Sequence, residues 1–193
     1  MRVIKIIVMV SLAGIGFLVL WVFNSFLFNH PKPEITYGEF PFKLTYELNG
    51  AAKTIIDTAV CEFKGYGKRS TAGQSREWSV HLLSGNDNTV SNQNKTGFVW
   101  ITLLDVRQSN DTDALGNKIL ELYFFGGNGH YYMNDTLGHH DRKAQGLNYI
   151  NYFYQKSDGT TGHGSLTAED AWEKYKIRLI KWEISPPIQN YFK

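Results

Sequence analysis

Apolar and polar residues alternate through much of the chain, which is the pattern of strands with one buried face. Every second residue from Phe42 to Leu48 is apolar, and the residues between them are polar. Asn49-Gly50 follows, and both residues accept the positive φ angles of a type I′ turn. The pattern therefore predicts a hairpin to a second strand near residues 54–63, with Leu44 opposite Ile55.

The same pattern recurs further along the chain, between segments rich in Gly, Asn, Ser and Asp. Thr167 is predicted to cap a short helix that ends near Tyr175. The glycine-rich segment 126–130 is predicted to be a loop, since it lacks the ending of a phosphate-binding loop. Further strands are predicted at residues 76–83, 97–107, 118–125, 148–155 and 176–184. The predicted fold of residues 37–193 is a mainly β (α+β) domain of antiparallel sheets, sandwich-like or barrel-like, with one short helix near the C-terminus.

A different pattern occupies the N-terminus, where residues 6–28 carry no charge. At about 1.5 Å per residue such a helix crosses the roughly 30 Å hydrocarbon core of a bilayer. Arg2 and Lys5 precede it, which favours a cytoplasmic N-terminus, and no small-residue cleavage site follows it. The sequence predicts a single-pass signal anchor (residues 1–28), a linker (residues 29–36) and an extracytoplasmic domain at the cell membrane.

Charge and cysteine content narrow the possible partners. Without Arg2 and Lys5 the basic and acidic residues are equal in number, 18 of each. A neutral domain lacks the positive surface that a phosphate backbone demands, so nucleic acid is not an expected partner.

Cys61 is the only cysteine, which excludes an intramolecular disulfide, and its apolar strand context predicts a buried thiol.

The sequence contains few candidate catalytic or metal-binding residues. The sequence contains no Gly-x-Ser-x-Gly elbow, Cys-x-x-Cys pair or His-Glu-x-x-His helix, and no cofactor is predicted. The segment starting at Asp111 imitates a calcium loop but has Leu122 where the bidentate Glu belongs. A divalent metal site is conceivable only if a turn gathers His130, His139, His140 and Asp141. Because their spacing matches no known ligand pattern, a polar surface loop is the preferred interpretation, and a metal-dependent or hydrolytic enzyme stays the alternative function.

The leading function is a non-catalytic binding or interaction module. In segment 149–154 strand alternation places Tyr152 and Tyr154 on one face, and Tyr149, Asn151 and Phe153 on the other. Rings and amides suit the stacking and hydrogen bonding of sugars. The candidate ligand-binding residues are Tyr149, Asn151, Tyr152 and Tyr154. The expected partners are the lipid bilayer through residues 6–28 and a cell-wall glycan or a membrane protein. For this strand, packing of both faces between two layers is nevertheless the preferred interpretation over glycan recognition.

Three segments carry a resemblance to a known family: residues 37–42 (Tyr-Gly-Glu-Phe-Pro-Phe), 61–63 (Cys-Glu-Phe) and 182–188 (Trp-Glu-Ile-Ser-Pro-Pro-Ile). In these segments the chain resembles small membrane-anchored extracytoplasmic proteins of Gram-positive bacteria, a family of unknown function. The resemblance implies a cell-surface location and carries over no activity and no site residue.

Overall fold

Two four-stranded antiparallel sheets form the domain in the computed structural model, which describes residues 14–19, 31–67, 75–85, 97–136 and 143–193. The strands are β1 (Tyr37–Leu48), β2 (Ala51–Tyr66), β3 (Arg76–Leu82), β4 (Phe98–Asp105), β5 (Lys118–Asn128), β6 (Tyr149–Gln155), β7 (Thr161–Thr167) and β8 (Ile177–Ile184). The first sheet has the strand order β3-β2-β1-β8 and the second β4-β5-β6-β7, and neither is closed into a barrel. The prediction of a mainly β domain with antiparallel sheets is confirmed, and the barrel alternative is not.

The hairpin of β1 and β2 forms as its pattern predicts. Asn49 and Gly50 have φ angles of 52° and 79°, as a type I′ turn requires. Leu44 lies opposite Ile55 in the register. The even-numbered residues from Phe40 to Tyr46 are buried, and Pro41, Lys43 and Thr45 between them face outward. The alternation of the sequence therefore sets which face of the first sheet enters the core.

Both sheets contribute side chains to one hydrophobic core. Trp182 of β8 packs against Phe124 of β5, with ring centroids 4.9 Å apart, and against Phe42 of its own sheet at 5.2 Å. The hydroxyl of Tyr46 in β1 donates to the carbonyl of Leu103 in β4 at 3.3 Å. The inner faces of the two sheets therefore pack on each other.

Two short helices lie between strands in the described part of residues 31–193. Helix α1 (Gly129–Tyr132) is capped by Asn128, whose side chain accepts from the backbone N–H of Tyr131. The glycine-rich segment 126–130 is thus the end of β5 and the start of α1, and its prediction as a loop is wrong. Helix α2 (Ala168–Tyr175) is capped by Thr167, as predicted, through a 3.1 Å hydrogen bond from the N–H of Asp170.

Residues 31–35, which lie in the predicted linker, pair with residues 190–193. Lys32 N donates to Lys193 O at 2.6 Å, and Glu34 N donates to Tyr191 O at 2.8 Å. The side chain of Asn190 both accepts from Ile35 N and donates to Ile35 O. This short ladder holds residues 190–193 beside the segment that leads into β1.

Within the described residues no helix is both long and apolar enough to span a membrane. Of the predicted anchor, residues 6–28, only residues 14–19 are described, and they are helical. The anchor stays a prediction from the sequence.

Candidate ligand-binding face

The outward side of the second sheet carries a cluster of rings, which we call the outer aromatic face: Phe98, Trp100, Tyr123, Phe125 and Phe153. The register places Trp100 beside Phe125 and brings Tyr123 and Phe153 to the same side of β5 and β6. The residues between them point the other way, into the shared core. The second sheet is therefore apolar on both sides, although only one side faces the first sheet.

Trp100 is at the centre of this cluster. Its ring centroid lies 4.7 Å from that of Tyr123 and 5.2 Å from that of Phe125. Phe153 and Phe98 lie 5.5 and 5.6 Å from the same ring. Tyr123 and Phe153 are buried and stack at 4.4 Å, while Trp100, Phe98 and Phe125 stay partly exposed. The neighbouring rings thus hold Trp100 in a fixed orientation with part of its surface accessible to a ligand.

Burial also fixes the protonation state of Tyr123. Desolvation, and secondarily the nearby Glu121 carboxyl, raise the pKa of the Tyr123 hydroxyl well above its ordinary value. The hydroxyl is therefore neutral throughout the physiological range. Beside it, Glu121 is only 1% exposed, and its carboxylate accepts a hydrogen bond from the hydroxyl of Thr102 at 2.5 Å.

A row of hydrogen-bonding side chains runs along one flank of the rings. Gln145 donates to the carbonyl of Tyr149 at 2.6 Å and accepts from the amide of Asn151. Asn151 accepts in turn from the hydroxyl of Ser165 at 2.7 Å. The face therefore combines fixed rings with oriented amide and hydroxyl groups, the combination that a sugar ring needs for stacking and for its hydroxyls.

The four predicted ligand-binding residues divide between the two sides of the sheet. Tyr149, which is 54% exposed, and Asn151 lie on the side of the outer aromatic face. Tyr152 and Tyr154 point to the inner side, where their rings lie over Gly164 and Gly162 of β7. The structure thus brings two of the four beside the Trp100 cluster.

Four rings of the outer aromatic face were missed by the sequence analysis: Phe98, Trp100, Tyr123 and Phe125. A signal for two of them was present, because Phe98 and Trp100 alternate with Val99 and Ile101, so that both sides of β4 are apolar. Only the register shows that Trp100 meets Tyr123 and Phe153, which follow it by more than 20 residues.

A polar cleft of about 560 Å³ opens between β3 and the start of β4, and Phe98 lines both this cleft and the outer aromatic face. His130 lines it too, with its Nδ1 3.4 Å from Oδ2 of Asp135. Asp135 is fully buried and accepts from Arg76 and Trp78, so its charge is already compensated. The other predicted metal ligands, His139, His140 and Asp141, lie outside the described residues.

Among the residues that the structure describes, no group of three His, Cys, Asp or Glu side chains gathers as a metal site would require. Asp113, in the segment that imitates a calcium loop, instead accepts from the backbone N–H groups of Leu115 and Asn117. It stabilises the turn between β4 and β5.

Comparisons with family models, with curated proteins and with solved structures give no match to this chain.

Proposed function

We propose that this chain is a membrane-anchored, non-catalytic binding module that holds a cell-wall glycan on the outer aromatic face of its second sheet. The observation that carries the proposal is the partly exposed ring of Trp100, held by four neighbouring rings beside the amides of Gln145 and Asn151.

The physical basis is pre-organisation. A ring that is already fixed loses little conformational freedom when a ligand stacks on it, so more of the contact energy contributes to affinity. Sugar C–H groups carry a slight positive charge and are attracted to the negative face of an aromatic ring. The equal numbers of acidic and basic residues outside the N-terminus agree with a ligand whose recognition does not depend on charge.

The test measures binding of the full-length protein in detergent to purified peptidoglycan and to soluble cell-wall polysaccharide. Trp100→Ala is expected to weaken binding at least about tenfold, because a central aromatic contact contributes about 2 kcal/mol or more. Trp172→Ala is the matched control: Trp172 is also partly exposed but lies on α2, where it contacts Arg178. This variant should bind as the wild type does.

Two results would contradict the proposal. If the wild type binds neither peptidoglycan nor the soluble polysaccharide, the ligand is not a cell-wall glycan. Unchanged binding by Trp100→Ala, together with a lowered melting temperature, would show that the rings only stabilise the sheet.

A further inference from the structure

Three parts of the chain meet at one end of the first sheet, and we call this end the proximal pole. They are residues 31–37, the end of β2 (residues 62–66) and residues 190–193. The ladder between residues 32–34 and 191–193 forms one part of it. Phe63 N, which donates to Thr36 O at 2.8 Å, joins the end of β2 to the same end of the sheet. The hairpin at Asn49-Gly50 lies at the other end of β1, about 35–40 Å away at the usual rise per residue of a strand.

The start of the described domain is fixed to this pole. The carbonyl of Pro31 accepts from Nη1 of the buried Arg76 at 3.0 Å. Pro31 is only three positions after Phe28, the last residue of the uncharged N-terminal run. Three positions span at most about 11 Å, so a chain anchored through that run keeps Pro31, and with it this end of the domain, close to the membrane.

Among the exposed side chains of the pole are three large apolar or aromatic residues of the kind found at a membrane interface. Tyr191 is 60% exposed, Tyr37 48% and Ile35 38%. Tyrosine is enriched at the level of the lipid headgroups because its ring is apolar and its hydroxyl is polar.

Two of the three lysines at the pole form ion pairs within the protein. Lys193 pairs with Glu34, and Lys64 pairs with Glu62. The third lysine, Lys32, is exposed, and the hydroxyl of Tyr37 donates to Glu39. Contact with a membrane would therefore depend more on the aromatic and apolar side chains than on the charge of the lipids.

We infer that the proximal pole docks on the outer surface of the membrane that holds the anchor, with Tyr37 and Tyr191 among the lipid headgroups. This inference rests on the proposed anchor. Because the anchor confines the domain next to the bilayer, a weak surface contact is enough for docking. The domain then stands with the proximal pole on the lipid and the β1–β2 hairpin furthest from it.

The experiment places a fluorescent label at either end of the full-length protein in phosphatidylcholine–phosphatidylglycerol vesicles that contain a headgroup nitroxide quencher. Gln189→Cys places the label on an exposed residue next to the proximal pole, and Leu115→Cys labels the exposed turn between β4 and β5 as the matched control. The native Cys61 is fully buried, and burial raises the pKa of its thiol to about 12, so it does not compete for the label.

Docking predicts several-fold stronger quenching at position 189 than at position 115. Adding Tyr37→Ser and Tyr191→Ser should lower the quenching at position 189 towards the value of the control. Raising the salt from about 0.1 M to about 1 M, which shortens the screening length from about 10 Å to about 3 Å, should leave the quenching unchanged.

Equal quenching at the two positions overturns the inference. The inference is also overturned if quenching at position 189 is unchanged by Tyr37→Ser and Tyr191→Ser while the melting profile stays the same. The label would then be near the lipid only because the anchor tethers the domain. The anchor is tested separately: a chain that is washed from the vesicles at alkaline pH contradicts the anchor, whereas a retained chain with equal quenching contradicts only the docking.

Discussion

At the scale of the residue, one buried ion pair joins parts of the chain that are far apart in sequence. Arg76 donates to Asp135 through Nε at 2.8 Å and through Nη2, and only 2% of Arg76 and none of Asp135 is exposed. Trp78 donates to the same carboxylate at 2.8 Å, and the guanidinium lies 4.0 Å from the ring of Phe192. The pair thus connects β3, the segment after α1 and the C-terminal residues.

Asp135→Asn is expected to lower the free energy of unfolding by about 3–5 kcal/mol, because it leaves a buried guanidinium without its counter-charge. Urea denaturation followed by circular dichroism measures the change. As a control, Lys181→Gln breaks the exposed pair of Lys181 and Glu183 and should leave the free energy of unfolding almost unchanged, because water screens an exposed pair. A loss from Asp135→Asn no larger than that of the control would show that the pair has no role in stability.

At the scale of the element, β7 shows how a strand forms from a sequence that does not favour strands. Its residues include Gly162 and Gly164, and glycine is depleted in strands because it has no side chain to pack. In the register Tyr154 lies opposite Gly162 and Tyr152 opposite Gly164. Each tyrosine ring covers the glycine across from it, so the packing surface of β7 is supplied by β6.

Gly164→Ala is expected to destabilise the domain by about 1–3 kcal/mol, although alanine is usually better than glycine in a strand, because its methyl group would overlap the ring of Tyr152. Gly146→Ala is the control: an added Cβ there meets no atom within 4 Å. Thermal melts of Gly164→Ala, Gly146→Ala, Tyr152→Ala and the double variant Tyr152→Ala/Gly164→Ala measure the loss of stability. Additive losses in the double variant would contradict the contact.

At the scale of the whole molecule, residues 31–36 belong with the domain by their contacts. They contribute the ladder with residues 190–193 and the carbonyl that accepts from Arg76. A domain that begins at residue 31 therefore keeps a set of contacts that a domain beginning at residue 37 loses.

The chain from residue 31 to residue 193 is expected to be a soluble, cooperatively folding β-rich monomer, because its core and both of its sheets lie within these residues. Its melting temperature should not change with reducing agent, since Cys61 has no partner cysteine in the chain. The chain from residue 37 should melt several degrees lower. Equal melting temperatures would show that the ladder is not stabilising, and a strongly helical spectrum would contradict the fold.

The local features of this protein were determined by its sequence. The turn at Asn49-Gly50 and the cap at Thr167 depend on residues within a few positions of each other, so their conformations can be read from neighbouring residues. The alternation in β1 likewise shows which side of that strand is buried, because the side chains of a strand repeat every two residues.

The ion pair and the outer aromatic face were decided only by the tertiary structure. Arg76 and Asp135 are 59 positions apart, and nothing local relates them. Trp100 meets Tyr123 and Phe153 only through the pairing of β4 with β5 and of β5 with β6. Both pairings include a shift in register. A shift of one residue would turn each of these rings to the other side of the sheet, so the candidate site exists only once the strands are paired.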